Sequence, residues 1–402
     1  MKVAIIHYWL FHMRGGEKVV ESLCRLFPQA DIFTHVYDPA GVSDTIRAHR
    51  VTTTFIARLP FARSRYKSYL PLMPHALEAL DLSGYDLVLS SESGPAKGII
   101  PPPGATHVCY CHSPMRYLWD QYHLYRQGAG RLTRTLMPLL AHGLRKWDAL
   151  NSMRVDEFVA NSHHVARRIA KYYRRQATVV APPVDVTAFS PCRDDEVGDY
   201  YLCAGELVAY KRPDIAVDAF TRMGRRLLVI GGGEEAARLA KRAGPTVEFL
   251  GKVPFDTLRH HFARCRGLIF PGEEDFGIIP VEVMASGRPV IAFGVGGALD
   301  TVADGRTGLL FHDQSVEGLI DAVERFEHEI EPHLDPAALV AHAARFGEDA
   351  FIDGMSAVLA GHGIAVPGHE GRAAAAAPRM PRPGGPPVRP AIPLRAAGQP
   401  HG

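Results

Sequence analysis

Short apolar runs alternate with amphipathic stretches along the first half of the chain. Residues 2–7 form an apolar run typical of a buried strand. After Gly15-Gly16-Glu17, apolar residues recur on one helical face: Val19, Val20, Leu23 and Leu26. Four more apolar runs predict strands: residues 85–91, 106–113, 157–162 and 177–185. Strands alternating with helices in this way predict a parallel sheet with helices on both faces.

The same rhythm restarts after Phe189-Ser190-Pro191. The segments "DYYLCAGEL", "RRLLVIGGG", "TVEFLGKV", "RGLIFPG" and "RPVIAFG" predict five further strands, and "RPDIAVDAFTRM" predicts a helix. A chain of 402 residues is too long for one ordinary core. We therefore predict two doubly wound α/β domains, residues 1–190 and 191–360, which face a ligand-binding cleft at the carboxyl ends of their strands.

The last segment, residues 361–402, has a different composition. It is rich in proline, alanine and arginine and contains almost no large apolar residue. Such a segment buries too little apolar surface to offset its loss of conformational entropy. We predict that it is a disordered tail.

Composition and charge narrow the class of protein. The chain is 47% hydrophobic and 22% charged, which is typical of a soluble globular protein. It has no run of about 18 apolar residues, no signal peptide pattern and no Cys-x-x-Cys pair, so we expect a cytoplasmic protein without a membrane span or a metal site. Residues 1–192 carry 23 basic and 14 acidic side chains, whereas residues 193–360 carry 17 and 28. The basic first half predicts contact with an anionic partner. No nucleic-acid-binding motif is present, so we expect no nucleic acid partner.

One stretch, residues 270–297, combines two acids with a strand-to-helix junction. Glu274 lies in the predicted loop and Glu282 in the first turn of the predicted helix, residues 281–286, with Gly277 and Pro280 between them. Gly277 allows a ligand to approach the backbone, and the N–H groups of a helix start bind anions or hydroxyls. The alternative is that Glu282 only offsets the helix dipole and Glu274 is a solvated loop residue.

The stretch "EDFGIIPVEVMASGRPVIA" resembles the nucleotide-sugar site of the retaining GT-B glycosyltransferases of family 4. The segments "GELVAYKRPDIAVDAF", "CHSPMRYLWDQY", "VANSHHVARRIAKYY" and "VVAPPVDVTAF" are also similar to this family, in particular to its bacterial mannosyltransferases. The resemblance covers roughly residues 1–350. It implies the GT-B fold, a GDP-mannose donor, and a polyprenyl-diphosphate-linked saccharide acceptor of surface polysaccharide synthesis. The chain has no Asp-x-Asp motif, so we expect no metal cofactor.

The resemblance also implies roles for residues of the second domain. Lys211, with help from Arg212, would bind the donor diphosphate, whose negative charge grows as the glycosidic bond breaks. Glu282 would accept hydrogen bonds from the ribose, and Glu274 would lie near the hydroxyls of the transferred sugar. The backbone amides of Phe276, Gly277 and Ile278 would contact that sugar. Alternatively, Lys211 and Arg212 are a solvated basic pair at a helix start.

In the first domain, the resemblance implies that Gly15 and Gly16 lie near the donor phosphates and that His112 lies near the C6 hydroxyl of the sugar. An ordinary strand–helix turn and a structural histidine are the alternatives. The chain departs from the family at Glu206, where an arginine is common. Arg212, Arg14 or Arg116 would have to compensate for that lost cation.

A basic segment, residues 57–72, predicts contact with a membrane surface. It carries Arg58, Arg63, Arg65 and Lys67, interleaved with Leu59, Phe61, Tyr66 and Tyr69. Cations and aromatic side chains together suit an anionic bilayer. We therefore expect peripheral association with the inner face of the cytoplasmic membrane. The alternative is an exposed loop with a buried aromatic edge.

Two other functions stay open at the level of the sequence. Glu206 leaves open a catalytically weak or inactive scaffold. An NAD-dependent dehydrogenase has only Gly231-Gly232-Gly233 in its support, because the full glycine fingerprint and its downstream acid are absent.

Overall fold

The computed structural model describes residues 1–366 and residue 368, and within them two parallel sheets carry the fold. The first sheet has the strand order β3-β2-β1-β4-β5-β6-β7. Its strands are β1 Val3–His7, β2 Asp31–Thr34, β3 Val51–Thr53, β4 Leu87–Glu92, β5 Thr106–Cys111, β6 Glu157–Ala160 and β7 Ala177–Val179. The predicted disordered tail lies almost entirely outside the described residues.

The second sheet has the order β10-β9-β8-β11-β12-β13, again entirely parallel. Its strands are β8 Tyr200–Ala204, β9 Arg226–Ile230, β10 Val247–Gly251, β11 Leu268–Phe270, β12 Val290–Phe293 and β13 Gly308–Phe311. In each sheet the chain order reverses beside the first strand, between β1 and β4 and between β8 and β11. Ligands bind at such reversals in open α/β sheets.

Fifteen α-helices of the described residues cover the sheets. They are α1 Gly15–Leu26, α2 Asp44–Arg47, α3 Ala62–Arg65, α4 Met73–Glu78, α5 Tyr122–Gly128, α6 Arg131–Asn151, α7 His163–Tyr173, α8 Pro213–Met223, α9 Ala236–Ala240, α10 Phe255–Arg264, α11 Ile278–Ala285, α12 Ala298–Thr301, α13 Val316–Arg325, α14 Pro336–Ala344 and α15 Glu348–Ala360.

The buried strands explain why the apolar runs are continuous. Every residue of β1 and β4 is buried, because helices cover both faces of the first sheet. The helix α1 packs Val19, Val20 and Leu23 onto that sheet, as the helical periodicity predicts.

The last helix does not pack with the domain that precedes it. Phe351 and Met355 of α15 are buried in the same cluster as Val3 and Ile5 of β1. Tyr110 of β5 stacks edge-on against Phe351, with ring centroids 5.5 Å apart. The chain therefore returns to the first domain after completing the second sheet, and residues 348–360 pack with the first domain.

Candidate active site

Lys211 and Glu274 lie together at the reversal point of the second sheet. Lys211 ends a short 3-10 helix after β8, and Glu274 lies in the loop after β11. Lys211 Nζ is 2.9 Å from Glu274 Oε1, and both side chains are about one-fifth exposed. Burial alone would lower the pKa of Lys211, but the Glu274 carboxylate outweighs it and raises that pKa. Lys211 is therefore a fixed cation in the cleft.

Close backbone packing sets the position of this pair. A methyl group added to Gly272 would lie 2.6 Å from the Lys211 backbone, so only glycine lets the β11 loop pass there. The carbonyl of Glu274 accepts a hydrogen bond of 2.8 Å from the Gly297 N–H. The loop that carries Glu274 is thus held on both sides by backbone contacts, which limits its freedom to move.

The helix α11 begins at Ile278, earlier than the sequence predicts. Gly277 precedes it with φ +93°, a left-handed conformation that favours glycine. Glu282 therefore lies in the second turn and not in the first, so the helix dipole does not account for it. No side chain of the described residues caps this helix. Its first N–H groups are left for a ligand.

The side chain of Phe276 is part of the protein core. It is buried in the core of the second domain, with its ring centroid 5.7 Å from that of Phe346. Only its backbone is available to contact a sugar, as the resemblance implies.

The two domains meet at the start of α11. A methyl group added to Gly15 would lie 2.8 Å from Ile278 Cδ1. One added to Gly16 would lie 2.7 Å from the Tyr8 hydroxyl and 3.7 Å from His112 Nε2. The structure thus brings Gly15, Gly16 and His112 of the first domain to one end of α11. The glycines keep this narrow part of the cleft open.

The carboxyl group of Glu282 is an unusually weak acid. Burial, with a smaller contribution from Asp185, raises the pKa of Glu282 to about 7. Glu282 lies four residues after Ile278, so both occupy one face of α11. A carboxylate that is poorly solvated by its surroundings gains most from hydroxyl donors supplied by a ligand.

Residues 13–188 match the family described as Glycosyltransferase Family 4, and residues 198–328 match the family described as Glycosyl transferases group 1. Both descriptions are of glycosyltransferases, and we refer to the matched regions as the family 4 domain (residues 13–188) and the group 1 domain (residues 198–328). Each domain thus matches a different family description, and the boundary between the matches falls between the two sheets.

The similar proteins cover different shares of these domains. The D-inositol 3-phosphate glycosyltransferase of Frankia alni is 30% identical over 209 residues, which are 44% of this chain and 51% of that protein. Its counterpart from Kribbella flavida is 29% identical over 233 residues, 48% of this chain and 53% of the relative. The chain spans about half the length of the curated relatives it matches.

Solved structures match over nearly the whole fold. Anabaena Alr3699/HepE, solved in complex with UDP and glucose, is 15% identical with a TM-score of 0.63, over 90% of this chain and 99% of that one. The sucrose-phosphate synthase of Thermosynechococcus elongatus is 18% identical with a TM-score of 0.64, over 90% and 99%. At these identities the match concerns the fold. The predicted GT-B architecture is confirmed.

An interdomain ion-pair network was missed at the sequence level. Arg168 on α7 of the family 4 domain pairs with Asp275 and, at 3.2 Å, with Glu273 of the group 1 domain. Ser162 Oγ donates a hydrogen bond of 2.5 Å to the Asp275 carbonyl. The acidic run around Glu274 is therefore not a solvated loop. Its outer acids bind the opposite domain, and Glu274 binds Lys211.

The three cations proposed to compensate for Glu206 have different surroundings. Arg212 pairs with Asp214 at 3.0 Å, and Arg116 lies 3.6 Å from Asp275 and 5.6 Å from the ring centroid of Tyr210. Arg14 is exposed at the start of α1. Of these three, Arg116 lies in the family 4 domain and contacts Asp275 and Tyr210 of the group 1 domain, so it is the best placed of them to replace the missing arginine.

The triple glycine that supports a dehydrogenase has a packing role. A methyl group added to Gly231 would lie 1.8 Å from the Gly205 carbonyl oxygen, and one added to Gly233 would lie 2.3 Å from that of Leu207. These glycines let the end of β9 pack against the loop that leads to Lys211. The structure therefore removes the one observation that favoured a dehydrogenase.

The four cations of residues 57–72 are all exposed, but most of the interleaved apolar residues are not. Leu59, Tyr66 and Tyr69 pack against a small core, while Phe61 is 72% exposed. Of these four apolar side chains Phe61 alone is exposed, because Leu59 and the two tyrosines pack on the core of this segment, and contact with a membrane stays a prediction.

Neither a cluster of metal ligands nor a membrane span occurs among the described residues. Within residues 1–366, no group of three His, Cys, Asp or Glu side chains is placed to hold a metal ion. None of the helices described above is both long and apolar enough to cross a bilayer. The expectation of a reaction without a metal cofactor stays a prediction.

Proposed function

We propose that this chain is a retaining hexosyltransferase that takes its sugar from a nucleotide-sugar donor bound in the cleft. The observation that carries the proposal is the Lys211–Glu274 pair beside the uncapped start of α11. In this pair a cation and an acid neutralise each other. A nucleotide-sugar offers a better partner to both, because its diphosphate is an anion and its hydroxyls are hydrogen-bond donors.

Charge development explains the role of the lysine. When the bond between the anomeric carbon and the diphosphate oxygen breaks, its electron pair stays on the diphosphate. Lys211 stabilises that added negative charge more than it stabilises the intact donor. The acceptor hydroxyl attacks the anomeric carbon on the face that the diphosphate leaves, and its proton passes to the departing diphosphate. The sugar thereby retains its configuration.

We propose GDP-mannose as the donor and a polyprenyl-diphosphate-linked saccharide as the acceptor, on the strength of the family resemblance. The curated relatives, as D-inositol 3-phosphate glycosyltransferases, supply inositol 3-phosphate as a second acceptor to test. Both acceptors are anionic, which agrees with the basic first half of the chain.

A panel of donors tests this function. Release of nucleotide diphosphate is measured from GDP-mannose, UDP-glucose, UDP-galactose and ADP-glucose, each with and without the two acceptors. The proposal predicts that GDP-mannose is turned over faster than the other donors. It also predicts that the lipid-linked acceptor increases the rate of that turnover. A chain that binds a nucleotide but turns over none of these donors would be the inactive scaffold left open by Glu206.

We further propose that the family 4 domain docks on an anionic membrane through residues 122–151 together with the basic segment. The helices α5 and α6 expose seven large apolar side chains: Leu124, Tyr125, Leu132, Leu136, Leu139, Leu140 and Leu150. Residues 121–147 contain five arginines and lysines and no acid. The exposed leucines of α6 recur at helical spacing and form a stripe that no described residue covers. An apolar stripe flanked by cations suits an anionic bilayer surface.

A further inference from the structure

A chain of buried polar side chains runs from α1 to the cleft. His112 Nε2 lies 2.8 Å from Ser91 Oγ, and Ser91 Oγ lies 3.1 Å from His7 Nδ1. His7 Nε2 has no partner within hydrogen-bond distance, and Glu17 Oε1 lies 3.8 Å from it. His7 and Ser91 are fully buried, and Glu17 is nearly so.

The fold imposes this arrangement. His7 of β1 stands opposite Ser91 of β4 in the parallel register, and His112 directly follows β5, the next strand. The His112 N–H donates to the Glu92 carbonyl at 2.7 Å, which continues the ladder by one residue. Glu17 reaches the same edge because α1 begins immediately after the β1 loop. Glu17 directly follows the Gly15-Gly16 turn at the start of α1.

Hydrogen bonds join His7, Ser91 and His112, and the Glu17 carboxylate faces His7 Nε2 across 3.8 Å, so the charge of Glu17 sets the proton positions along the chain. An ionised carboxylate only accepts hydrogen bonds, and a neutral imidazole has one donor nitrogen and one acceptor nitrogen. Burial would raise the pKa of Glu17, but its interactions with His7 lower that pKa below the usual range, so Glu17 is a carboxylate. The Arg14 N–H also donates to it at 3.1 Å.

The direction of the hydrogen bonds follows from that carboxylate. His7 presents Nε2–H to Glu17, which leaves Nδ1 to accept the Ser91 hydroxyl proton. The Ser91 oxygen then accepts from Nε2–H of His112. Burial, with a smaller contribution from His7, lowers the pKa of His112 to about 3, so this ring holds one proton. Nδ1 of His112 makes no hydrogen bond to the described residues, and the ring is only partly buried.

We propose that Glu17, acting through His7 and Ser91, fixes His112 as its Nε2–H tautomer and so presents the Nδ1 lone pair to the cleft. Glu17, His7 and Ser91 are positioning residues. His112 is then an obligate acceptor of hydrogen bonds. Resting on the proposed function, this makes His112 a specificity residue that accepts a donor-sugar hydroxyl and rejects a carboxylate, as in a hexuronic acid donor.

The tautomer is measured directly on the full chain without any substrate. Histidine is labelled with ¹⁵N, and the signals of His112 are assigned by their loss in His112→Gln. The proposal expects the ¹⁵N shift and the two-bond proton couplings of an unprotonated Nδ1 and a protonated Nε2. A protonated Nδ1 in the wild-type protein, which a doubly protonated His7 would also produce, overturns the proposal.

Variants test whether Glu17 controls that tautomer. In Glu17→Gln the amide can donate to His7, so the proton of His112 should move to Nδ1 in a large share of molecules. Ser91→Ala breaks the chain and should give a mixture. Glu21→Gln is the matched control, because Glu21 lies on the same helix but pairs with Lys18 at 3.1 Å and with Arg25 at 3.4 Å. An unchanged His112 tautomer in both Glu17→Gln and Ser91→Ala contradicts the proposal.

Measurements of donor turnover test the role of Glu17 independently of the tautomer. Glu17→Gln should lower kcat/KM for the hexosyl donor at least tenfold, with a melting temperature close to that of Glu21→Gln. The ratio of kcat/KM for the hexosyl donor over the matching hexuronosyl donor should fall as well. If the tautomer behaves as expected but no donor is turned over, the proposed function fails and the positioning chain stands.

Discussion

Replacing Glu282 with glutamine should stabilise the protein at alkaline pH while weakening nucleotide binding. Burial raises the pKa of Glu282 from 4.5 to about 7 in the folded chain. Ionising it therefore costs more in the folded than in the unfolded state. A glutamine side chain at this position has nearly the same shape and never ionises, so the variant removes this cost and leaves the packing of α11 in place.

The sign and the size follow from proton linkage. Between pH 4.5 and about 7 the folded protein retains a proton that the unfolded protein has released, so the stability contributed by this group falls as the pH rises. Above pH 7 the loss is complete. At 1.36 kcal/mol per pH unit it reaches about 3 kcal/mol. Glu282→Gln should therefore gain up to that amount over the wild type between pH 5 and pH 8.5.

Urea unfolding of both proteins, repeated from pH 5 to pH 8.5, measures this difference. Glu234→Gln is the matched control, since Glu234 is an exposed glutamate of the same domain. The reasoning is refuted if the unfolding free energies of Glu282→Gln and the wild type run parallel across this pH range.

The raised pKa of Glu282 also predicts that nucleotide binding depends on pH. The resemblance implies that ribose hydroxyls donate to the ionised carboxylate of Glu282, so we expect binding to release protons near pH 7 and to tighten as the pH rises through 7. Isothermal titration of GDP in two buffers of different ionisation enthalpy measures the protons released. Glu282→Gln should bind more weakly and release none, whereas proton release equal to that of the wild type would remove Glu282 from the ribose site.

Three further predictions follow from the geometry. Arg168→Ala should lower donor turnover about tenfold or more, because the Glu274 loop loses its ion pairs with the first domain, whereas Arg167→Ala, at an exposed neighbour, should not lower it. Equal rates in the two variants would show that these ion pairs do not support turnover. Leu132→Ser with Leu139→Ser should abolish co-sedimentation with vesicles containing phosphatidylglycerol at unchanged melting temperature, since each leucine is 75% exposed; retained binding would place the membrane contact elsewhere. Gly16→Ala should reduce turnover at least tenfold, because its methyl group would lie 2.7 Å from a tyrosine hydroxyl, and a fully active variant would show that this part of the cleft is not used.

The fold was predictable because the central strands of both sheets are buried. Strands buried on two faces must be continuous apolar runs, and such runs are visible without any other information. Pro280 and Gly277 likewise indicated a strand-to-helix junction. The start of α11 was predicted three residues too late. A glycine in a left-handed conformation, such as Gly277, can directly precede a helix or lie within a loop, and the sequence does not distinguish the two.

The partners of charged residues were not predictable in the same way. Arg168 lies 107 positions before Asp275 in the chain, and only the packing of the two domains brings them together. The exposed leucines of α6 were missed for a related reason. Helical spacing shows that a stripe exists, but the same spacing fits a buried face, and α6 carries apolar residues on both sides.

The row of buried polar side chains that ends at His112 could not be predicted from the sequence either. His7 and Ser91 lie near strand ends and Glu17 lies in the first turn of α1, and their connection depends on the register between β1 and β4. Sequence spacing carries no information on that register until the strand order is known.

The rate of donor turnover in Lys211→Ala tests the central claim most directly. The claim is that Lys211 stabilises charge that grows on the diphosphate in the transition state. The account predicts that kcat falls by roughly two to three orders of magnitude, about 3–4 kcal/mol, by analogy with the loss of one preorganised donor. Lys241→Ala, a change of an exposed lysine in the same domain, should leave kcat unchanged. A kcat of Lys211→Ala equal to that of Lys241→Ala, per folded molecule, would contradict the account.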